Sequence, residues 1–265
     1  MSKHTPGPWV VEEWDVREPD GCVINCKALI KRFEKNATGR DFAVGDIHGH
    51  FTLLQGALDR LGFNPEIDRL FSVGDLVDRG PECEQVLAWL DKPWFHPVRG
   101  NHDDYVCRHD TCDIGNWIQN GGIWFASLTD FEKGEFAAQF RDLPIAIEVE
   151  TEGGLVGLVH ADCPYPSWGQ LQSALSGSLS NKDLKLVMNA CMWSRRRIET
   201  GDQSGVEGVR ALVVGHTPLT RPTALRNVIH IDTIGWRPDK GGYFTFLELG
   251  SLKAHCDTNE LMGVV

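Results

Sequence analysis

What most narrows the fold of this chain is the position of its glycines relative to its apolar runs. From residue 41, DFAVG (41–45), RLFSVG (69–74) and WFHPV (94–98) are short and apolar, and they lead into GDIHG, GDLVDRG and RGNHD. Between them, FTLLQGALDRLG (51–62) and ECEQVLAWL (82–90) carry apolar residues at helical spacing. Strand–helix–strand units of this kind predict right-handed parallel crossovers and an α/β sheet. Ligands of such sheets collect beyond the carboxyl ends of the strands. The glycine-led loops are therefore expected to build a site.

Further along, a helical region is expected over 102–141, closed by Leu143-Pro144. The second half turns β-rich at 145–150, 155–160, 211–216, 228–232 and 243–249, interrupted by one long helix over 181–199. No internal repeat or linker divides the chain, so 41–265 reads as one domain of two strand-rich halves. Residues 1–40 hold none of the chemistry described below. Their Trp9, Val10, Val11 and Trp14, then Cys22, Val23 and Ile24 around Asp20-Gly21, suggest a hairpin in an appendage packed on the domain.

Composition excludes several classes. Of 265 residues, 42% are hydrophobic and 24% charged, which is globular rather than disordered. Twenty-six basic against 37 acidic residues give a net charge of −11, so a nucleic-acid partner, which needs a cationic footprint, is not expected. No run approaches the length of a membrane span and the opening residues lack a signal-peptide stretch, so a cytoplasmic protein without a membrane partner is expected. The eight cysteines, at 22, 26, 83, 107, 112, 163, 191 and 256, form no CxxC pair and read as free thiols. Nothing in the pattern specifies an oligomeric state.

Asp46, His48, Asp75, Asn101, His160 and His216 each stand at or just beyond the end of an apolar strand. Carboxylate, imidazole and amide oxygen together suit borderline divalent ions such as Mn²⁺, Fe²⁺ or Zn²⁺. Six side chains exceed the needs of one ion, so two ions sharing a carboxylate is the economical arrangement. GDIHG alone would be weak support. GDIHG, GDLVDRG and RGNHD in order, followed by LVH and VGH strand ends, are not coincidence.

With these motifs the chain resembles the metallophosphoesterase superfamily, in particular the bacterial and bacteriophage lambda-type protein phosphatases. The resemblance spans about 41 to 249 and includes NPEIDRLFSVGDLVDRGPE, WIQNGGIWF (117–125) and HAD (160–162). It implies a four-layer α/β/β/α sandwich of the calcineurin-like type with a dinuclear, usually Mn²⁺-dependent centre. It places Asp46 and His48 on the first ion, Asp75 as the bridge, and Asn101, His160 and His216 on the second. It also implies His102 as general acid, Asp78 as the carboxylate orienting it, and Arg79 as a phosphate ligand. Arg195, in Trp193-Ser194-Arg195, matches a further phosphate arginine, although Arg196 and Arg197 adjoin it. Arg99 of RGNHD is a motif position that either binds phosphate or supports its loop.

Two ions would acidify a bridging water and so provide a hydroxide nucleophile near neutral pH, with no Ser or Cys needed. A serine alkoxide leaves badly and calls for a proton donor. The expected activity is phosphomonoester hydrolysis on phosphoserine and phosphothreonine proteins or peptides, with phosphotyrosine left open. The alternative with the same site is hydrolysis of dinucleoside polyphosphates or cyclic nucleotides. A non-enzymatic metal-binding adaptor would require a lost ligand or acid, and none is lost. Asp162 and Asp232 receive no catalytic role. Where the family often shows IDTG, this chain has IDTIG (231–235), an extra residue expected to reshape the nearby loop.

Overall fold

Alternate side chains of the central strands enter two different cores, which is why their sequences read as nearly continuous apolar runs. In a computed structural model, residues 29–256 are described, with the backbone of 261 and 262. One six-stranded sheet runs in the order β12 (Leu261–Met262), β11 (Lys253–Cys256), β10 (Thr245–Glu248), β2 (Asp41–Val44), β3 (Arg69–Ser72), β4 (Phe95–Pro97). The other runs β1 (Ile30–Phe33), β5 (Ala146–Thr151), β6 (Gly154–Val159), β7 (Ala211–Val214), β9 (Val228–His230), β8 (Thr223–Leu225). As expected from the crossovers, β2, β3 and β4 are parallel, and so are β6, β7 and β9.

Ala43, Phe71 and Leu247 of the first sheet meet Ile147, Leu158 and Val213 of the second in a core between the sheets. One residue away on the same strands, Phe42, Leu70 and Phe246 face outward. There they pack on Phe51, Leu54 and Leu58 of α1 (Phe51–Leu61). On the far side Val159, Leu212 and Val214 pack on Trp168 and Leu171 of α7 (Trp168–Ser173) and Val187 and Cys191 of α8 (Asn181–Trp193). Burying each such side chain contributes about 1.5–3 kcal/mol. Three cores between four layers define the α/β/β/α sandwich that the resemblance implied.

The stretch 82–90 yields α2 (Val86–Leu90), and the helical region expected over 102–141 resolves into α3 (Asn101–Cys107), α4 (Ile114–Trp117), α5 (Ile123–Ala126) and α6 (Asp130–Arg141). Among the described residues no helix is long and apolar enough to cross a membrane, and the six cysteines form no disulfide with one another.

Two expectations change, and a third falls outside the described residues. Residues 30–33, assigned to the appendage, are β1 and pair in parallel with β5, so they belong to the sandwich. The hairpin expected around residues 9–24 lies outside the described residues. The helix expected over 181–199 is two helices, α8 and α9 (Arg196–Thr200), parted at Ser194 (φ −69°, ψ 127°). The Trp193 carbonyl, which a continuing helix would give to residue 197, instead accepts from His216 Nε2 at 3.1 Å.

Candidate metal centre

The loops after β2, β3 and β7 carry five of the eight non-glycine residues with positive φ among those described: His48 (46°), Asp75 (51°), Asp78 (70°), Arg79 (67°) and His216 (67°). Backbone of this kind costs about 1–3 kcal/mol per residue and persists only where its surroundings over-determine it. Here the loops are cross-linked. The Asp75 carbonyl accepts from the backbone N–H of Ile47 (3.1 Å) and His48 (2.8 Å). The Asp103 carboxylate accepts from the N–H of Gly100 (2.8 Å), Asp75 (2.9 Å) and Leu76 (2.9 Å). Gly100 and Gly215 permit the close approach, since a Cβ on either would sit 2.2 Å from a carboxylate oxygen, of Asp75 and Asp46 respectively.

Asp75 is common to two ligand clusters, one with His48 and His102 and one with His160 and His216. Its Oδ2 lies 3.7 Å from His48 Nε2 and its Oδ1 3.4 Å from His160 Nε2. Asn101 Oδ1 is 2.9 Å from the same His160 nitrogen. Asp46 Oδ1 accepts the His216 N–H at 3.1 Å. The six residues expected to be ligands are thus brought together.

The imidazoles are held in defined tautomers. His48 Nδ1 donates to the Val77 carbonyl (2.9 Å) and His160 Nδ1 to that of Val73 (2.7 Å), which turns each Nε2 toward the cluster. His216 is turned the other way, donating from Nε2 and leaving Nδ1 bare. A ring that spends one nitrogen on a carbonyl presents the other as a metal ligand. The donor set fits two divalent ions sharing Asp75.

Burial opposes the charge of Asp75, but the imidazoles of His160, His102 and His48 outweigh it and hold the carboxyl well below its usual range. Burial likewise opposes charge on His160, yet Asp75 lifts its pKa to about 9. Burial, reinforced by Asp232, raises Asp46. Burial lowers His48 and His216, with help from Arg79 and His160 respectively. A bound cation replaces such protons, so loading is expected to release them.

His102 Nδ1 is 2.7 Å from Asp78 Oδ2, and both side chains are almost fully buried. The same carboxylate accepts Trp117 Nε1–H and Trp124 Nε1–H, each at 2.7 Å. Three donors fix Asp78 in place, and Asp78 fixes the imidazole. Trp117 and Trp124 were not singled out as site residues, although they lie in the 117–125 segment that carried part of the resemblance. Nor was Asp103, the last residue of RGNHD.

Arg79 reaches the centre of the cluster. Its guanidinium is 2.7 Å from His48 Nε2 and 3.0 Å from His102 Nε2, and lies over the Trp236 ring at 4.6 Å. The three arginines after Trp193 separate. Arg197 is buried and paired with Asp162 at 2.8 Å. Arg196 is exposed and faces Asp202 at 3.9 Å. Arg195 sits half-buried at the helix break, where its charge helps to lower His216.

Arg99 requires correction as a phosphate ligand. It is buried, and its guanidinium donates to the carbonyls of Arg141 (2.8 Å) and Leu143 (3.2 Å) with Asp104 3.7 Å away. Those carbonyls close the end of α6, so Arg99 supports its loop.

A sandwich with a shared carboxylate between two histidine clusters defines a class, and residues 42–220 match the family described as calcineurin-like phosphoesterase. The chain belongs to that metallophosphoesterase family and is a hydrolase with metal-binding groups. Serine/threonine-protein phosphatase 2 of Escherichia coli is 34% identical over 199 residues, covering 72% of this chain and 86% of that protein. A symmetrical bis(5'-nucleosyl)-tetraphosphatase of Pseudomonas putida is 27% identical over 194 residues, covering 64% of this chain and 60% of that protein. The structure of a serine/threonine phosphatase from Saccharomyces cerevisiae superposes with a TM-score of 0.58 at 16% identity, over 84% of this chain and 78% of that one. At that identity the likeness is one of fold.

Proposed function

We propose that this chain is a metal-dependent phosphomonoesterase acting on phosphoserine and phosphothreonine in proteins or peptides, with phosphotyrosine as a secondary substrate. Asp46, His48, Asp75, Asn101, His160 and His216 hold two divalent ions, Mn²⁺ in the first instance, with Asp75 shared. When bound, such ions supply Lewis acidity and an acidified water near neutral pH. Arg79 and Arg195 bind and orient the phosphate, since a planar guanidinium pairs with two of its oxygens at once. His102 donates the proton to the departing alkoxide, and Asp78 orients its ring. The reading places the protein in the cytoplasm, without a nucleic-acid or membrane partner.

The observation that carries it is the His102–Asp78 pair clamped by two indole N–H groups beside the Asp75 clusters. A positioned acid matters most for a poor leaving group, which an unactivated serine or threonine alkoxide is. The Escherichia coli relative favours the same substrate class. The Pseudomonas putida relative supports a second reading, hydrolysis of dinucleoside polyphosphates by the same residues.

Parallel assay of a phosphoserine peptide and diadenosine tetraphosphate with added Mn²⁺ decides between them. Higher kcat/KM on the peptide is expected. Faster cleavage of the dinucleotide overturns the first reading.

A further inference from the structure

Ile234 of IDTIG begins a loop that ends beside Arg79. Ile234 adopts φ +51°, unusual for a β-branched side chain. The conformation is enforced from several directions. The Ile234 N–H donates to Asp232 Oδ1 (3.0 Å), and its carbonyl accepts from the Arg237 N–H (2.7 Å). Thr233 Oγ1 donates to the Tyr243 carbonyl at 2.6 Å. Gly235 lies so close to Phe244 that a Cβ would sit 2.4 Å from the ring. A backbone this constrained presents the next residue, Trp236, in one place.

That place is against Arg79. The guanidinium lies 4.6 Å from the centre of the Trp236 ring, and the same ring meets His48 edge-on at 4.8 Å. The next residue, Arg237, makes two bonds to Asp239, at 2.8 and 2.9 Å, and is farther from the ring at 5.9 Å. Arg79 otherwise bonds through its guanidinium to His48 Nε2 and His102 Nε2. Under the proposed function both nitrogens are engaged elsewhere, one as a ligand and the other in proton transfer. Neither can then hold Arg79 while phosphate is bound. The aromatic face can, because a cation–π contact uses no hydrogen-bonding group and leaves the N–H fork free for oxygens.

We infer that Trp236 is a positioning residue, which holds the Arg79 guanidinium toward the substrate phosphate from a loop built around Ile234. The inference rests on the reading of Arg79 as a phosphate ligand. Trp236 also lines, with His50, Arg79 and Pro238, a cleft of about 550 Å³.

The test measures the affinity of the Mn²⁺-loaded full-length protein for inorganic phosphate, by competition against p-nitrophenyl phosphate, with metal content checked in each variant. Trp236→Leu keeps apolar bulk without a π face and should weaken phosphate binding roughly three- to thirtyfold. Trp236→Phe should restore most of that affinity. Arg79→Ala should weaken phosphate at least as much, and adding Trp236→Leu to it should cost nothing further, since the ring would act only through the guanidinium. Full phosphate affinity in Trp236→Leu overturns the inference, as do losses that multiply with those of Arg79→Ala. Loss of bound metal in Trp236→Leu also overturns it, because the ring would then serve His48. If Arg79→Ala itself binds phosphate normally, the reading of Arg79 falls and this inference falls with it. A weakened Arg79→Ala beside a normal Trp236→Leu removes the inference alone. Should the leucine variant fail to fold, the phenylalanine variant must keep most of the wild-type affinity while Trp236→His, a smaller ring, falls between it and Arg79→Ala.

Discussion

The loops of the first sheet and those of the second face each other across the candidate centre, but they are built differently. After β2, β3 and β4, the chain delivers Asp46, His48, Asp75, Asp78, Arg79, Asn101 and His102 within 57 positions of sequence, and backbone and carboxylate bonds tie these loops together. The second sheet supplies His160 and His216 from separate strands and Arg195 from the break between α8 and α9. Its arginine is set by one interrupted helix rather than by a cage. Consecutive parallel strands concentrate chemistry at one sheet edge, whereas the second half must bring its groups in from distant segments. Under the proposed function the first half would hold the proton donor, Arg79 and four of the six ligands, and the second would add two ligands and Arg195.

Asp75 joins the two halves, and its loss should have the largest effect. Asp75→Asn is expected to lower metal content at both positions and kcat by about 10³-fold or more, given the several kcal/mol that metal ions contribute to such a transition state. Elemental analysis together with phosphopeptide turnover checks this. Retention of a full ion in the second cluster would mean that the halves bind metal independently.

Within the first half, His102→Asn should cost about 10²–10⁴-fold on a phosphoserine peptide and much less on p-nitrophenyl phosphate, whose leaving group needs no proton. Asp78→Asn should show the same selectivity more mildly. Equal losses on both substrates would move His102 from acid to ligand, a role its grouping with His48 and Asp75 also permits.

For the second half, Arg195→Ala should lower kcat/KM about ten- to a hundredfold, the worth of a charge-assisted phosphate contact, with Arg196→Ala near wild type. Arg197→Ala should act on the fold instead. It strands the buried Asp162 carboxylate, and urea unfolding should reveal a loss of about 3–5 kcal/mol. If Arg196→Ala impairs catalysis as Arg195→Ala does, the sorting of the trio fails.

The smallest effect concerns a histidine outside the centre. His96 on β4 packs against Phe33 and Phe71, and burial, with Lys31 and Arg69, pushes its pKa down to about 3. The folded protein keeps this ring neutral, while the unfolded chain protonates it below about 6.5. Stability is therefore lost as pH falls from about 6.5 toward 3, by roughly 1.4 kcal/mol per unit for this one proton. His96→Phe should remove that slope in acid-unfolding curves compared with wild type. An unchanged slope would shift the acid sensitivity of the first sheet to the metal-centre loops.

How much of this was legible depended on the range of the interaction. The ligand residues were readable because each follows a strand within a few positions, and a parallel sheet carries its strand ends to a common edge. The strands β8, β11 and β12, at the sheet margins, were not anticipated, since they lack the unbroken apolar run that marked β2, β3 and β7. Residues 30–33 looked like part of an appendage because their partner, β5, begins more than a hundred positions later.

Sequence alone determined the crossovers and the set of metal-ligating residue types, consequences of local period and of glycine beside polar groups, while the sandwich came from the resemblance that those motifs carry. Only the tertiary structure decided which arginine serves which purpose. Arg99 turned to the carbonyls ending α6, Arg197 to Asp162, and Arg196 to the surface beside Asp202. It also decided that Trp117 and Trp124 clamp Asp78 from 39 and 46 positions away, and that Trp236 covers Arg79. The backbone pattern follows from neighbouring residues, but the direction of a long charged or aromatic side chain follows from what the rest of the fold places within its reach.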